Sequence, residues 1–395
     1  MGIVSTQSGP PDVRLGMIGL GLRGHLAEIA HRPAAGAVVA TLCDLDANVV
    51  RSWADRLSPK PRVSGDYRAL LSDDTLDAVI VATPDHTHEE IVIAALEAGK
   101  AVFAEKPLAI TVNGCDRILA TAMRTGTRLY VGHNMRHFSM VRVMKRLIDE
   151  GAIGEPKAVW CRHFVSHGGD FYFKDWHAQR RHVTGLLLQK GAHDIDVIHW
   201  LAGGVSRLVH GFGRLAVYGG VADRHDGVKR DGWFDPTIWP PSTQRGLHPE
   251  IDIEDLSMMQ MVLDNGVLAS YQECHFTPDY WRNYTVIGTN GRIENFGDTD
   301  GVVKLWSTRG GYSADGDHRF PFHSTDGGHG GADTRLIDEF LRYVRDGGST
   351  DTSPVGAREA VAAGCAATQS LRAGGAAITV PAPAADVVNY FAVAR

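Results

Sequence analysis

Cysteine is scarce in this chain of 395 residues. The five present, Cys43, Cys115, Cys161, Cys274 and Cys365, are an odd number, scattered and without a C-x-x-C pair. Neither a disulfide framework nor a structural zinc site is signalled. Long apolar runs are missing too, and none approaches the roughly 18 residues of a spanning helix. There is no basic block: 40 Lys plus Arg stand against 46 Asp plus Glu, a net charge of −6. Nucleic acid and membrane surface are therefore excluded as expected partners. The first twelve residues, ending Ser8-Gly9-Pro10-Pro11-Asp12, carry neither a basic nor an apolar region of a signal peptide, so residues 1–12 are expected to form a flexible leader and the chain to be cytoplasmic. Histidine is abundant, with 19 residues, and His163, His167, His177 and His182 cluster. Catalysis or a polar pocket explains that cluster better than a metal, because no H-x-x-x-H pair lies on a helix with a carboxylate partner.

Two rhythms divide the chain. Short β-branched runs at Arg14 to Ile18, Val38 to Leu42, Ala78 to Ala82, Ala101 to Ala104 and Arg128 to Val131 alternate with helix-period segments such as Glu89 to Ala98 and Gly114 to Thr125. That alternation predicts βαβ units and a parallel sheet covered on both faces. From Ala158 to Trp306 strands dominate, with hairpin signals at Asn265-Gly266 and Asn290-Gly291, so a mostly antiparallel sheet is expected there. One long helix is expected from about Leu186 to Leu201, and two more over Asp333 to Arg345 and Val355 to Ala373. Gly219 to Ile251, with Trp233, Trp239 and His248, has no periodicity and reads as a lid or long loop, set at 220–253.

Gly19-Leu20-Gly21-Leu22-Arg23-Gly24 follows one apolar run and opens a helical stretch. That context makes G-x-G-x-x-G a dinucleotide fingerprint, in which glycines allow a tight turn and bring backbone N–H groups close to a pyrophosphate. Asp44, at the end of the second strand about 20 residues on, is placed to accept ribose hydroxyls and to repel a 2′-phosphate, which favours NAD over NADP. Thr83-Pro84-Asp85-His86-Thr87-His88 and Glu105-Lys106-Pro107 follow later strands, where side chains of a doubly wound sheet face the ligand crevice. Asn134 and Arg136 follow the last of these strands. A glycine turn beside an exposed Asp, and a solvent-exposed Lys106, are the plain structural alternatives.

These segments, with Gly191-Ala192-His193-Asp194-Ile195-Asp196, resemble the Gfo/Idh/MocA oxidoreductases, the glucose–fructose oxidoreductase and inositol dehydrogenase family, over residues 13 to 345. The resemblance implies an α/β protein with an N-terminal Rossmann domain, a doubly wound parallel sheet assigned to 13–135. A C-terminal α/β domain with an open, mostly antiparallel sheet is assigned to 136–395, for substrate binding and homo-oligomer contacts. It also implies a nicotinamide cofactor, hydride transfer at a secondary alcohol of a sugar, sugar derivative or cyclitol, and Lys106 with His193 as the catalytic pair. Many polyol dehydrogenases of the family carry aspartate four residues before the histidine, where this chain has Gln189 followed by Lys190. On one helix Gln189 would share a face with His193 and join Lys106 and His193 in the expected catalytic set, orienting a hydroxyl without taking a proton. Either Lys106 and His193 suffice for the acid–base chemistry, or Lys190 contributes, or the reaction is not simple dehydrogenation.

Expected dinucleotide contacts are thus Gly19 to Gly24, Asp44, Thr83, Pro84, Asp85, His88, Glu105, Lys106 and Asn134. Expected substrate contacts are Lys106, Arg136, Trp176, His177, Gln189, Lys190, His193 and His329, while Asp194 or Asp196 would orient or charge-balance His193, a solvated or capping carboxylate being the alternative for either. In Gly327 to Asp333 the alternative role for Asp333 is a helix cap. His193 suits a base with an ordinary imidazole pKa. An NAD-dependent glycosidase or lyase working through transient oxidation is the alternative activity, and a dinucleotide-sensing regulator the non-enzymatic one.

Overall fold

In this computed structural model, residues 12–225 and 234–393 are described. Six short strands form the first sheet: β1 (Val13–Ile18), β2 (Ala37–Cys43), β3 (Arg62–Ser64), β4 (Ala78–Val81), β5 (Ala101–Ala104) and β6 (Leu129–Val131). All pair in parallel, in the order β3-β2-β1-β4-β5-β6. β4 and β5 are buried along their whole length, which is why they read as continuous apolar runs. The strand order reverses between β1 and β4, so the ligand crevice opens at the carboxyl ends of those strands. β3 was not legible: only three residues long, it is polar and partly exposed.

Nine strands form the second sheet: β7 (Pro156–Phe164), β8 (Ser206–Arg214), β9 (Leu256–Leu263), β10 (Leu268–Cys274), β11 (Trp281–Gly288), β12 (Arg292–Phe296), β13 (Gly301–Trp306), β14 (His318–Phe322) and β15 (Ile378–Thr379). The order is β14-β13-β12-β11-β7-β10-β9-β8-β15. β10 is parallel to β7 and every other pair is antiparallel. The Asn265-Gly266 turn joins β9 to β10, with Gly266 at φ +81°, a conformation that glycine adopts without steric cost.

Alternation along these strands sorts them into two faces. Val159, Cys161, Ala269, Tyr271, Met259, Met261 and Tyr284 point inward and pack against Ile195, Ile198 and Leu201 of the helix Gly191–Ala202. Trp160, Phe212, Met258, Val262 and Leu268 stand exposed on the other face, and register aligns them, with Leu268 opposite Val262 and Met258 opposite Phe212.

Two expectations change here. The helix expected over Leu186 to Leu201 is two pieces, Leu186–Gln189 and Gly191–Ala202, interrupted at Lys190. The carboxyl-terminal segment also returns to the first sheet. Leu336, Ile337, Phe340 and Leu341 of the helix Ala332–Asp346 complete the core around Leu15, Met17 and Phe103, while Ala357 and Val361 of Pro354–Arg372 join the core on the other face.

The flanks of the expected lid are anchored: Leu247 and Ile253 pack with Phe171, Tyr172, Phe173 and Tyr218, and the Phe173 carbonyl accepts from the His248 amide. Trp233 and its neighbours from 226 to 233 lie outside the described residues, as does the leader up to residue 11. No helix among the described residues is long and apolar enough to cross a membrane.

Candidate active site

The fingerprint loop is shaped by contacts that explain its glycines. Gly19 has φ +90°, and a Cβ there would meet the Ala82 carbonyl oxygen at 2.6 Å. A Cβ on Gly24 would strike the Trp53 indole at 2.7 Å, whereas Gly21 faces open space. Trp53 donates to the Leu20 carbonyl at 3.0 Å and so braces the loop from the following unit. Asp44, half-buried at the end of β2, accepts from the Leu20 amide at 2.8 Å and from the Asp46 amide at 2.9 Å. Each of its oxygens keeps a further lone pair for a hydroxyl. A close, side-chain-free approach at Gly21 beside an accepting carboxylate is the donor set that a dinucleotide fits. Gly19 to Gly24 and Asp44 would hold it, and the Asn134 Oδ1 is a buried acceptor without a partner.

Several expected contacts are instead committed within the protein. His88 is buried, with Nδ1 2.7 Å from the Pro107 carbonyl and Nε2 2.9 Å from the Thr83 carbonyl. It staples the Thr83-Pro84-Asp85 loop to the Glu105-Lys106-Pro107 loop and has no ring atom left for a cofactor. Arg23 donates to Glu105 at 2.6 Å and, through both terminal nitrogens, to Asp333 at 2.8 and 3.0 Å. His25 at 2.9 Å, His329 at 2.8 Å and Asn134 at 3.2 Å converge on the same carboxylate. His329 therefore belongs to a clasp at the fingerprint. It was expected against substrate, but Asp333 takes its Nδ1. Asp333 is not the helix cap either: Gly331 holds that position, and Asp333 lies in the first turn.

Arg136, expected against substrate, is likewise engaged within the protein. It grips Asp196 with two bonds of 2.7 Å and donates to the Asp351 carbonyl. Asp196 is thereby removed as an orienter of His193. Asp194 is removed too, because it accepts from His163 at 2.9 Å, pairs with Arg282 at 3.0 Å and takes the Tyr284 hydroxyl. Burial alone would raise the Asp194 carboxyl, but Arg282, His163 and Tyr284 hold it well below the usual carboxylate range. Trp176 and His177 stack on each other at 3.6 Å, and the His177 Nδ1 meets Asp175 at 2.5 Å. Trp176 also meets His86 edge-on at 6.1 Å, and His86 stacks on His182 at 4.3 Å. This aromatic group joins the loop after β4 to the segment 176–182 that follows β7.

Lys106, Lys190 and His193 remain, each half-buried. The interruption at Lys190 leaves the Gln189 carbonyl outside the helical ladder, and the Lys106 Nζ donates to it at 3.1 Å. Gln189 meets Lys106 through its backbone, while its side-chain Oε1 is buried without a partner. Burial lowers the Lys106 pKa against the opposing pull of Asp85 and Glu105. Asp85 is pushed up to about 6 by its own burial, with Lys106 opposing. The His193 Nδ1 is buried without a partner. Burial, followed by Lys106, Lys190 and Arg282, holds this imidazole well below its ordinary pKa, so it is neutral at any ordinary working pH. This replaces the ordinary imidazole expected of it.

Arg282 and His133 were not foreseen. Arg282 is inward-facing on β11 opposite His163, and His133, buried next to Asn134, lies 3.6 Å from Asp196. The signal that could have found Arg282, and with it Glu273, is alternation. Both occupy inward positions of strands whose other inward residues are apolar or aromatic, and a polar residue on a buried face has a partner or a role. Glu273, which takes the Tyr271 hydroxyl at 2.9 Å, is raised by burial to about 8. A raised carboxyl contributes fully only below its unfolded value and loses that contribution as pH rises through about 8. Glu273→Gln should therefore raise the melting temperature more at pH 8 than at pH 5. Equal shifts at both would show that Glu273 is ionised in the fold.

Comparisons with known proteins agree with this architecture. A family model described as oxidoreductase family, NAD-binding Rossmann fold, matches residues 13–133. Its companion, oxidoreductase family, C-terminal alpha/beta domain, matches residues 145–380. Among curated relatives, the inositol 2-dehydrogenase/D-chiro-inositol 3-dehydrogenase of Halalkalibacterium halodurans is 36% identical over 192 residues, 48% of this chain and 52% of that protein. The inositol 2-dehydrogenase of Burkholderia multivorans is 34% identical over 194 residues, 48% of this chain and 55% of that protein. The chain thus spans about half the length of the curated relatives it matches. Among solved structures, a levoglucosan dehydrogenase in complex with NADH and levoglucosan superposes with a TM-score of 0.76 at 22% identity, over 94% of this chain and 100% of that one. A myo-inositol 2-dehydrogenase from Lactobacillus plantarum gives 0.71 at 19% identity, over 94% and 100%. With both halves matched by paired models of one family on a parallel six-stranded and a nine-stranded sheet, the chain belongs to the Gfo/Idh/MocA oxidoreductase family.

Proposed function

We propose that the chain is an NAD-dependent dehydrogenase that oxidises or reduces a secondary alcohol of a sugar, sugar derivative or cyclitol. The observation that carries this reading is that Lys106 reaches the Gln189 carbonyl and lies close enough to His193 to depress it, while Arg23 of the fingerprint loop bonds Glu105 beside Lys106. Nicotinamide, when bound, supplies the hydride acceptor or donor. The chain's own residues handle the proton. Lys106, held by the Gln189 carbonyl, donates to the alcohol oxygen and offsets the negative charge that grows there. His193, neutral because cations and burial surround it, accepts the hydroxyl proton. Asp194 and Asp196, engaged elsewhere, take no proton. Gln189→Ala, which keeps the backbone carbonyl, leaves the Lys106 anchor in place. The experiment is incubation with NAD and a panel of sugars, cyclitols and glycosides, following NADH and aglycone release together. NADH without aglycone release supports the dehydrogenase, whereas aglycone release without net NADH would support redox-neutral cleavage.

Asp44 supports NAD as the preferred cofactor, since its carboxylate lies where a 2′-phosphate would be repelled. NAD should bind much more tightly than NADP in fluorescence titrations, and Asp44→Ala should narrow the gap. Equal affinities in the unaltered protein would remove the assignment.

The exposed face of the second sheet supports a homo-oligomer. Trp160, Phe212, Met258, Val262 and Leu268 stand together on four neighbouring strands, and a contiguous apolar patch of that kind marks an interface. Leu268→Asp, at a position 58% exposed, should lower the mass measured by sedimentation to that of one chain. A single-chain mass for the unaltered protein at micromolar concentration would contradict the proposal.

A further inference from the structure

Among the described residues, one half-buried cation near His193 has no counter-charge of its own. Lys190 stands at the helix interruption between Gln189 and Gly191. Among the described residues its ammonium has neither a carboxylate within ion-pair reach nor a hydrogen-bond acceptor, and it faces the Tyr172 ring, 5.9 Å away.

The carboxylates around it are already engaged. Asp194 is taken by Arg282, His163 and Tyr284, and Asp298 lies 3.7 Å from Arg282. Glu273, raised to about 8, is largely protonated at neutral pH and supplies little negative charge. Lys106 and Arg282 share the space and add positive charge. His163 and His167, each depressed to about 3 first by burial, contribute none of either sign. The crowding is strong enough that burial, followed by Arg282, depresses Lys190 itself to about 7. A half-buried ammonium in this surrounding gains most from a ligand that brings a negative charge, because Coulomb interactions are weakly screened away from bulk water. A neutral polyol would leave it uncompensated, and oxidised nicotinamide would add a further positive charge to the cleft.

We infer that Lys190 is the specificity-determining contact for a carboxylate on the substrate, so that the alcohol oxidised belongs to a sugar acid or a carboxylated cyclitol. The inference rests on the dehydrogenase reading. A single carboxylate suits Lys190 better than a phosphate dianion, since one ammonium, with Arg282 committed to Asp194, offers a single charge. The test uses three methyl pyranosides that differ only at C6: a glucoside, its uronate and its 6-phosphate. KM with NAD should be about ten-fold or more lower for the uronate than for the glucoside, as a charge-assisted hydrogen bond requires. Lys190→Met should bring the two values together, and Lys190→Arg should keep them apart.

Equilibrium binding of the same three compounds to the dinucleotide-loaded protein reads this preference without turnover. Equal KM values, equal affinities, or no binding of the uronate overturn the inference. A preference for the 6-phosphate overturns the carboxylate in favour of a phosphate. A preference that survives in Lys190→Met assigns it to another residue and equally overturns the inference. Any of these results, alongside NADH formation from a neutral sugar or cyclitol, leaves the dehydrogenase reading intact. Absence of NADH with every sugar, cyclitol and uronate overturns that reading instead, whatever the binding shows.

Discussion

Lys106→Ala should lower kcat by about 10² or more while NAD affinity stays within a few-fold, and His193→Ala should do the same, as removal of a positioned proton-transfer group requires. Steady-state kinetics together with dinucleotide titration separate the two effects. Near-normal turnover in either variant would place the chemistry on another residue. The pH profile carries a further constraint. As the proposed base, His193 must be neutral to accept a proton, and its pKa is pushed well below the ordinary imidazole value of 6.5, so its protonation should not limit kcat/KM near neutral pH. A limb between pH 6 and 7 would belong to Asp85, near 6, or Lys190, near 7. Such a limb should move in Asp85→Asn or Lys190→Met.

The second large effect concerns stability. Asp333, fully buried, receives Arg23 twice together with His25, His329 and Asn134, and so fastens the helix Ala332–Asp346 to the fingerprint loop. Asp333→Ala leaves a largely buried guanidinium with Glu105 alone and removes the acceptor from three other donors. Breaking a buried pair in this way costs about 3–5 kcal/mol. Denaturant titration should show a loss of that size. A loss below about 1 kcal/mol, typical of exposed pairs, would show that water replaces the carboxylate without penalty. Burial alone would raise the Asp333 carboxyl, yet His25, His329 and Arg23 hold it well below the carboxylate range. Its contribution is full above the unfolded carboxylate pKa and is lost only as pH falls through the much lower folded value. The acid side of the stability curve should therefore flatten in Asp333→Ala.

The parallel sheet was readable because its strands are buried on both faces: Ala78–Val81 and Ala101–Ala104 leave continuous apolar runs, and the loops that follow them carry Asp85 and Lys106. The hairpins were readable because Asn265-Gly266 and Asn290-Gly291 demand turns. Arg62–Ser64 escaped because its position in the sheet depends on pairing with Thr41 to Cys43 rather than on its own polar residues. The helix interruption escaped because Leu186 to Leu201 keeps helical periodicity across it; what sets Gln189 apart is that its carbonyl accepts from Lys106, 83 residues earlier. The roles given to Arg136, His88, His329, Asp194 and Asp196 changed for the same reason. Position along the chain placed each near the crevice, but their partners come from distant segments, 60 residues away for Arg136 and Asp196 and 31 for His163 and Asp194. Spacing shows that a charged group is near a site, and only the folded contacts show whether it is still free.

Net hydride transfer tests the central claim most directly. The purified chain is incubated with NAD and a panel of neutral and carboxylated sugars and cyclitols while the absorbance of reduced nicotinamide is followed, with Lys106→Ala measured in parallel. NADH should accumulate in step with a ketone product and without aglycone release, and the variant should form it at least about 10² more slowly. No NADH from any compound, or NADH formed equally fast by Lys106→Ala, would contradict the account.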